Sequence, residues 1–169
     1  HYGVAVGERV GVYCAHDSAY EAAFDLKRAG VKVVAIVDSR AEPGPGLADM
    51  AKALDIKLLT HHTVTGTKGR LRVRSMRVKA KDGGRTRDYA IDALITSAGW
   101  TPSVHLFSQS RGKLVFDAEH ERFVPGTHVQ NAVSVGACNG TDAIAALVAE
   151  AAAAGGGFAE IAAENRFAW

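Results

Sequence analysis

Apolar and polar positions change period several times along this chain of 169 residues, and each change marks a predicted element. Residues 9–15, RVGVYCA, form a short β-branched apolar run of the kind that fills a parallel strand buried on both faces. The next stretch, DSAYEAAFDLKRAG, shifts to a helical period that gathers Ala19, Ala22, Ala23, Leu26 and Ala29 on one face and stops at Gly30. VKVVAIVDSR then returns to a buried strand ending at Asp38, which completes a βαβ unit. EPGPG at 42–46 predicts a rigid turn, LADMAKALDI a compact amphipathic helix, and KLLTHHTV another strand.

The middle of the chain alternates instead. Arg70, Arg72 and Arg74 fall opposite Leu71 and Val73, and Arg77, Lys79 and Lys81 fall opposite Met76, Val78 and Ala80. The parity switch near Ser75 predicts a bulge or bend, and DGG at 82–84 a hairpin turn. IDALITSAGW returns to a buried strand that closes in a glycine turn at Gly99. Beyond it the pattern predicts a short strand KLVF, a linker around ERFVPGTHVQ, a strand AVSVGA and an alanine-rich helix from about Thr141 to Ala154. Thr141 is the expected N-cap of that helix, with Asp142 complementing its dipole. The fold class is therefore α/β: a Rossmann-like parallel sheet with a crossover helix layer and an antiparallel β-meander.

Composition narrows the class without naming a partner. A chain 47% hydrophobic and 22% charged can bury one domain, or one domain and a piece of another. Twenty Lys and Arg against eighteen Asp and Glu give a net charge of +2, too balanced to predict nucleic-acid or membrane binding. Nine of the basic residues lie between Lys68 and Arg87, an anion surface or, more simply, a solvated strand face, since no aromatic residues interleave for base stacking. Cys14 and Cys138 lack disulfide or zinc spacing, and the start HYGVAVGERV lacks the charged and apolar regions of a signal peptide. The apolar run 143–163 is broken by Glu150, Gly155 to Gly157 and Glu160, so no membrane span is expected. The expectation is a cytoplasmic chain, excised from a longer one.

In a dinucleotide fold the first strand-to-helix turn carries three glycines, for the tight bend, for close approach of the pyrophosphate and for helix packing. Here the turn is Cys14-Ala15-His16-Asp17-Ser18-Ala19, and only the packing requirement is met, by Ala19. His16 puts an imidazole where phosphate would lie, and Asp17 adds negative charge at the helix start. Asp17 or Ser18 as a helix cap and His16 as a turn residue is the competing reading. Asp38, about twenty residues beyond the turn, sits where a carboxylate would hold an adenosine ribose, although Arg40 could neutralise it or admit a 2′-phosphate. With Gly99 at the end of a later strand, Ser18, Ala19 and Asp38 make up the cofactor-facing candidates. No metal site is expected, because His61 and His62 point to opposite faces of a strand. Cys14 is expected to be a packed small side chain, and the residues assemble no catalytic set.

Four stretches, DSAYEAAFDLKRAGVKVVAIVDSR, TGTKGRLRVRSMRV, SAGWTPSVHLFSQSRGKL and GACNGTDAIAALVAEAAAAG, together resemble the α subunit of heterotetrameric sarcosine oxidase and its amine-dehydrogenase relatives. The resemblance covers nearly the whole chain. It implies the architecture of two-dinucleotide-domain flavoprotein reductases, with residues 1–100 as an inserted NAD(P)-type Rossmann-like domain. Residues 101–169 would then be the returning C-terminal part of the outer FAD/NAD-type domain. It also implies that NAD belongs with the outer domain, whereas the inserted domain has this same glycine-poor DSAY turn. Gly136, Asn139 and Gly140 align with the reductase motif that closes over cofactor at a helix N-terminus, with Ala137-Cys138 replacing its usual Gly-Asp pair.

The implied parent is a flavin-dependent amine oxidoreductase, with FAD or FMN in the full complex and not on this fragment. Its implied partners are a flavin-carrying β subunit and other subunits of a hetero-oligomeric amine oxidase. Three readings stay open at this point. The chain is a dinucleotide-domain scaffold with at most weak NAD binding and no activity alone, or a competent NAD module in which Asp38 holds ribose and the Ser18 and Ala19 amides hold phosphate. The third is a structural interaction domain that shows its basic face to an acidic partner.

Overall fold

In the computed structural model, which describes residues 4–155, the first unit runs to Gly99 and opens as the hydrophobic pattern predicts. Strand β1 (Arg9–Cys14), helix α1 (Ser18–Arg28) and strand β2 (Lys32–Asp38) form the βαβ unit, and Gly30, at φ +88°, ends the crossover in the left-handed region. Helix α2 (Leu47–Ala53) and the two-residue strand β3 (Leu58–Leu59) follow. Three antiparallel strands, β4 (His62–Lys68), β5 (Ser75–Ala80) and β6 (Arg87–Ala90), make the meander before β7 (Ala93–Ser97) returns to the first sheet. That sheet is parallel throughout, in the order β3-β2-β1-β7.

The parallel sheet is buried on both faces, which is why its strands lack polar alternation. Val10, Val12, Val33 and Ile36 pack with Tyr20, Ala23 and Phe24 of α1. On the other face Ala35 and Val37 pack with Met76, Val78 and Ile91 of the meander layer. Gly11 makes this second contact possible, because a Cβ there would overlap the Met76 thioether.

The second unit, from residue 100, is described on its own. It holds helix α3 (His105–Gln109), an antiparallel pair β8 (Lys113–Asp117) and β9 (Arg122–Thr127), a 3-10 turn at Gly136–Asn139, and helix α4 (Ile144–Ala154). Phe116 and Phe123 meet edge to face across the pair, with ring centroids 5.2 Å apart.

Several local expectations are corrected. Residues 69–74 are the connection between β4 and β5, not strand, so of the expected bulge or bend near Ser75 the structure has the bend, at residues 70–72. His61 sits in a turn at φ +56° and only His62 belongs to β4. The segment ERFVPGTHVQ contains β9, whereas AVSVGA holds no strand and runs into the 3-10 turn. Helix α4 begins at Ile144 with Ala143 as its N-cap, because Gly140 (φ +90°) closes the preceding turn and Asp142 is drawn off to Arg122. The end of the alanine-rich run and the tail ENRFAW lie outside the described residues. Among the described residues no helix is long and apolar enough to cross a membrane, and no group of His, Cys, Asp and Glu could hold a metal ion.

Candidate functional site

The strands β1, β2 and β7 end on one edge of the sheet, with Cys14 in register with Asp38 on one side and Ser97 on the other. That carboxyl edge is where α/β sheets bind ligands. The bend itself is held by backbone, Ser39 N–H donating to Cys14 O at 2.9 Å and Ala15 N–H to Ser97 O at 3.1 Å.

Asp38 is fully buried, and its carboxylate is saturated by its own chain. Oδ1 accepts from the Arg40 backbone N–H at 2.8 Å and from Arg40 Nε at 3.2 Å. Oδ2 accepts from the Tyr20 hydroxyl and from an Arg40 guanidinium nitrogen, both at 2.8 Å. Four donors fill the roughly four acceptor positions that an ionised carboxylate has. Burial opposes its ionisation, but the hydrogen bonds from Arg40 and Tyr20 outweigh it and hold the carboxyl below the ordinary aspartate range. Burial and the bond to Asp38 together push the Tyr20 phenol up, so it remains a donor.

Arg40 also reaches Asp17 Oδ1 at 2.8 Å, and the same oxygen accepts the Gly44 N–H at 3.0 Å. A Cβ at Gly44 would collide with the Asp17 carboxylate, which gives the EPGPG turn a packing reason. Two carboxylates around one guanidinium leave net negative charge beside the first turn.

His16 fills the turn. Its Nε2 lies 2.7 Å from Ser97 Oγ and its Nδ1 2.8 Å from Ser18 Oγ, so both ring nitrogens are engaged. Ser18 opens α1 as a partner of His16, and Asp17, at the N-cap position, makes no side-chain cap bond to the helix. Ala19 is buried in the core and performs the packing role of the third glycine. Gly99, at φ +136°, lies beyond β7 on the His16 side of the edge. Cys14 is buried, and burial, reinforced by the Asp38 charge, pushes its thiol up to about 12, far from a nucleophile's range.

In the second unit Glu150 of α4 accepts the Gly136 N–H at 2.7 Å and Asn139 Nδ2 at 2.5 Å. These bonds lower the Glu150 carboxyl from its ordinary value. Gly140 contributes its carbonyl to Arg122, which also holds Asp142 at 2.8 Å. The fold therefore gathers Ser18, Ala19, Asp38 and Gly99 at one sheet edge, and Gly136, Asn139 and Gly140 around a turn of the second unit. Tyr20, Ser97 and Glu150 escaped the sequence reading because an aromatic residue, a strand-end serine and a helical glutamate carry no motif.

No family model matches the chain. It is 37% identical over 152 residues to sarcosine oxidase subunit alpha of Rhizobium meliloti (strain 1021), covering 90% of this chain and 15% of that protein. Sarcosine oxidase subunit alpha of Corynebacterium sp. (strain P-1) is 32% identical over 173 residues, covering 99% of this chain and 18% of the relative. The chain thus spans less than a fifth of the length of the curated relatives it matches. Among solved structures, thioredoxin reductase of T. acidophilum aligns with a TM-score of 0.65 at 20% identity, over 87% of this chain and 49% of that one. Thioredoxin reductase of Lactococcus lactis aligns with the same score and identity over 93% and 52%. These likenesses show the fold, that of FAD/NAD(P)-binding Rossmann-type domains.

Proposed function

The chain is homologous to one stretch of sarcosine oxidase subunit alpha, and on that premise we propose that it is a dinucleotide-domain scaffold of a flavin-dependent amine oxidoreductase whose first-turn site is closed to NAD. In this reading residues 1–100 are the inserted NAD(P)-type domain and residues 101–169 the returning part of an outer FAD/NAD-type domain. Flavin, as FAD or FMN, supplies the redox chemistry in the complete enzyme and sits on a partner β subunit or elsewhere outside this chain. This chain contributes no acid, base or nucleophile to the amine.

The observation that carries the reading is the saturated Asp38 carboxylate. A ribose would need acceptor positions that Arg40 and Tyr20 already fill, and displacing them would leave Arg40 facing Asp17 alone. A diphosphate would meet the His16 ring and the net negative Asp17, Arg40 and Asp38 group where a binding fold presents bare glycine backbone. The residues present do not fit a dinucleotide at this edge. The bonds from Gly136 and Asn139 to Glu150 support the same reading for the second unit, since they turn those donors onto the protein itself.

Titration calorimetry of the 169-residue chain with NAD and with NADP tests this directly. The expected result is no binding tighter than about 1 mM for either nucleotide. Tighter binding of NAD that is lost in Asp38→Asn would establish the competent module instead.

A further inference from the structure

The β4–β5 connection, residues 69–74, presents an apolar residue that the first unit does not use. Leu71 at its tip is 97% exposed. The turn beneath it is tightly built: Arg74 N–H donates to Lys68 O at 2.7 Å, Gly69 sits at φ +148° with no room for a Cβ against the Arg72 carbonyl, and Val73 packs on the Met76 cluster. Leu71 is thus held out on a braced turn.

Charge is concentrated on the same layer. Residues 68–88 carry nine Lys and Arg against two Asp, a net +7, while the other 148 residues carry eleven basic against sixteen acidic, a net −5. Asp88 is taken by Lys68 at 2.5 Å and Arg77 at 3.1 Å, and Asp82 by His61 at 2.8 Å. Among the described residues no carboxylate pairs with Arg70, Arg72 or Arg74 around the exposed leucine. Three exposed arginines on the same short connection as one exposed leucine complement an apolar pocket rimmed by carboxylates.

Resting on the reading that the complete protein works with other subunits, we propose that this tip is a docking plug for another subunit of the same enzyme, with Leu71 in an acidic-rimmed pocket. A nucleic acid fits less well, because residues 68–88 offer no aromatic side chain for stacking. An anionic membrane fits less well too, because a single leucine is too little apolar surface for insertion at an interface.

The test uses the full-length protein co-expressed with its other subunits. A photo-crosslinking benzophenone amino acid is placed at Leu71 and, as a control, at Glu21, an exposed residue of α1. The expected result is a crosslink from position 71, absent from position 21, to an Asp- or Glu-rich segment of another subunit. In parallel, Leu71→Asp weakens subunit association on the order of tenfold or more, and wild-type association weakens with added salt. A crosslink only to its own polypeptide, to nucleic acid or to lipid, or a Leu71→Asp complex within about twofold of wild type, would overturn the plug while leaving the scaffold reading intact. Purification of the full-length protein without any other subunit would overturn the plug and the multi-subunit reading on which it rests, and would leave the closed first-turn site untouched.

Discussion

Arg40 decides how the strand-end cluster behaves. It is the only cation in hydrogen-bond contact with Asp38 among the described residues, and it shares its charge with Asp17. Arg40→Ala leaves a buried carboxylate with the Tyr20 hydroxyl and the backbone N–H of residue 40 but no cation, and because Arg40 is about one-third exposed the expected loss is moderate, about 2 kcal/mol in urea unfolding at pH 7. The sign of the pH dependence follows from the depressed Asp38 carboxyl. A group whose folded pKa lies below its unfolded value stabilises the fold above the unfolded value, near 3.9 for aspartate, and loses that contribution as pH falls through the folded one. The stability gap between wild type and Asp38→Asn should therefore be full at pH 7 and shrink below about pH 4. A gap that is constant from pH 7 to pH 2 would show that the ionised state of Asp38 contributes nothing.

Between elements the critical contact is β1 against the meander. Gly11 faces Met76, and Gly11→Val would force the thioether aside in a core that is closed on both faces. The expected cost is about 1–3 kcal/mol in thermal or urea unfolding, whereas Gly11→Ala should cost less because the Met76 side chain can swing. This part of the fold was legible in the sequence, since β1, α1, β2 and β5 have periods that match their burial. Residues 70–74 misled for a physical reason: an R-L-R-V-R alternation is the same whether its residues pair in a sheet or span a turn, and only Gly69 hinted at the turn. Pro125 hid β9, because proline argues against a strand, yet it is tolerated in a pair whose other edge makes no ladder. Asp38 and the glycine-poor turn pointed to the carboxyl edge of the parallel sheet, where the structure places both, but the Tyr20 and Ser97 bonds depend on how distant elements pack, which no local pattern encodes.

The two units differ in how far they close their own cores. The first buries Val10, Val12, Tyr20, Phe24, Ile36 and Met76 completely, whereas the second leaves Phe116 and Phe123 about half exposed and Val129, Val133 and Ile144 more so. A two-stranded antiparallel pair is marginal without a covering layer, and the chain spans less than a fifth of the length of its curated relatives. The first unit has the parallel-sheet architecture, and the side chains at the carboxyl edge of its sheet hydrogen-bond to one another. Backbone amide NMR shifts of Ala15 to Ala19 and Ser39 to Arg40, followed as NAD is added to the 169-residue chain, examine that edge most directly. Shifts that stay within baseline scatter up to about 5 mM NAD are the predicted result. Saturable movement of these amides with a dissociation constant well below about 1 mM would contradict it.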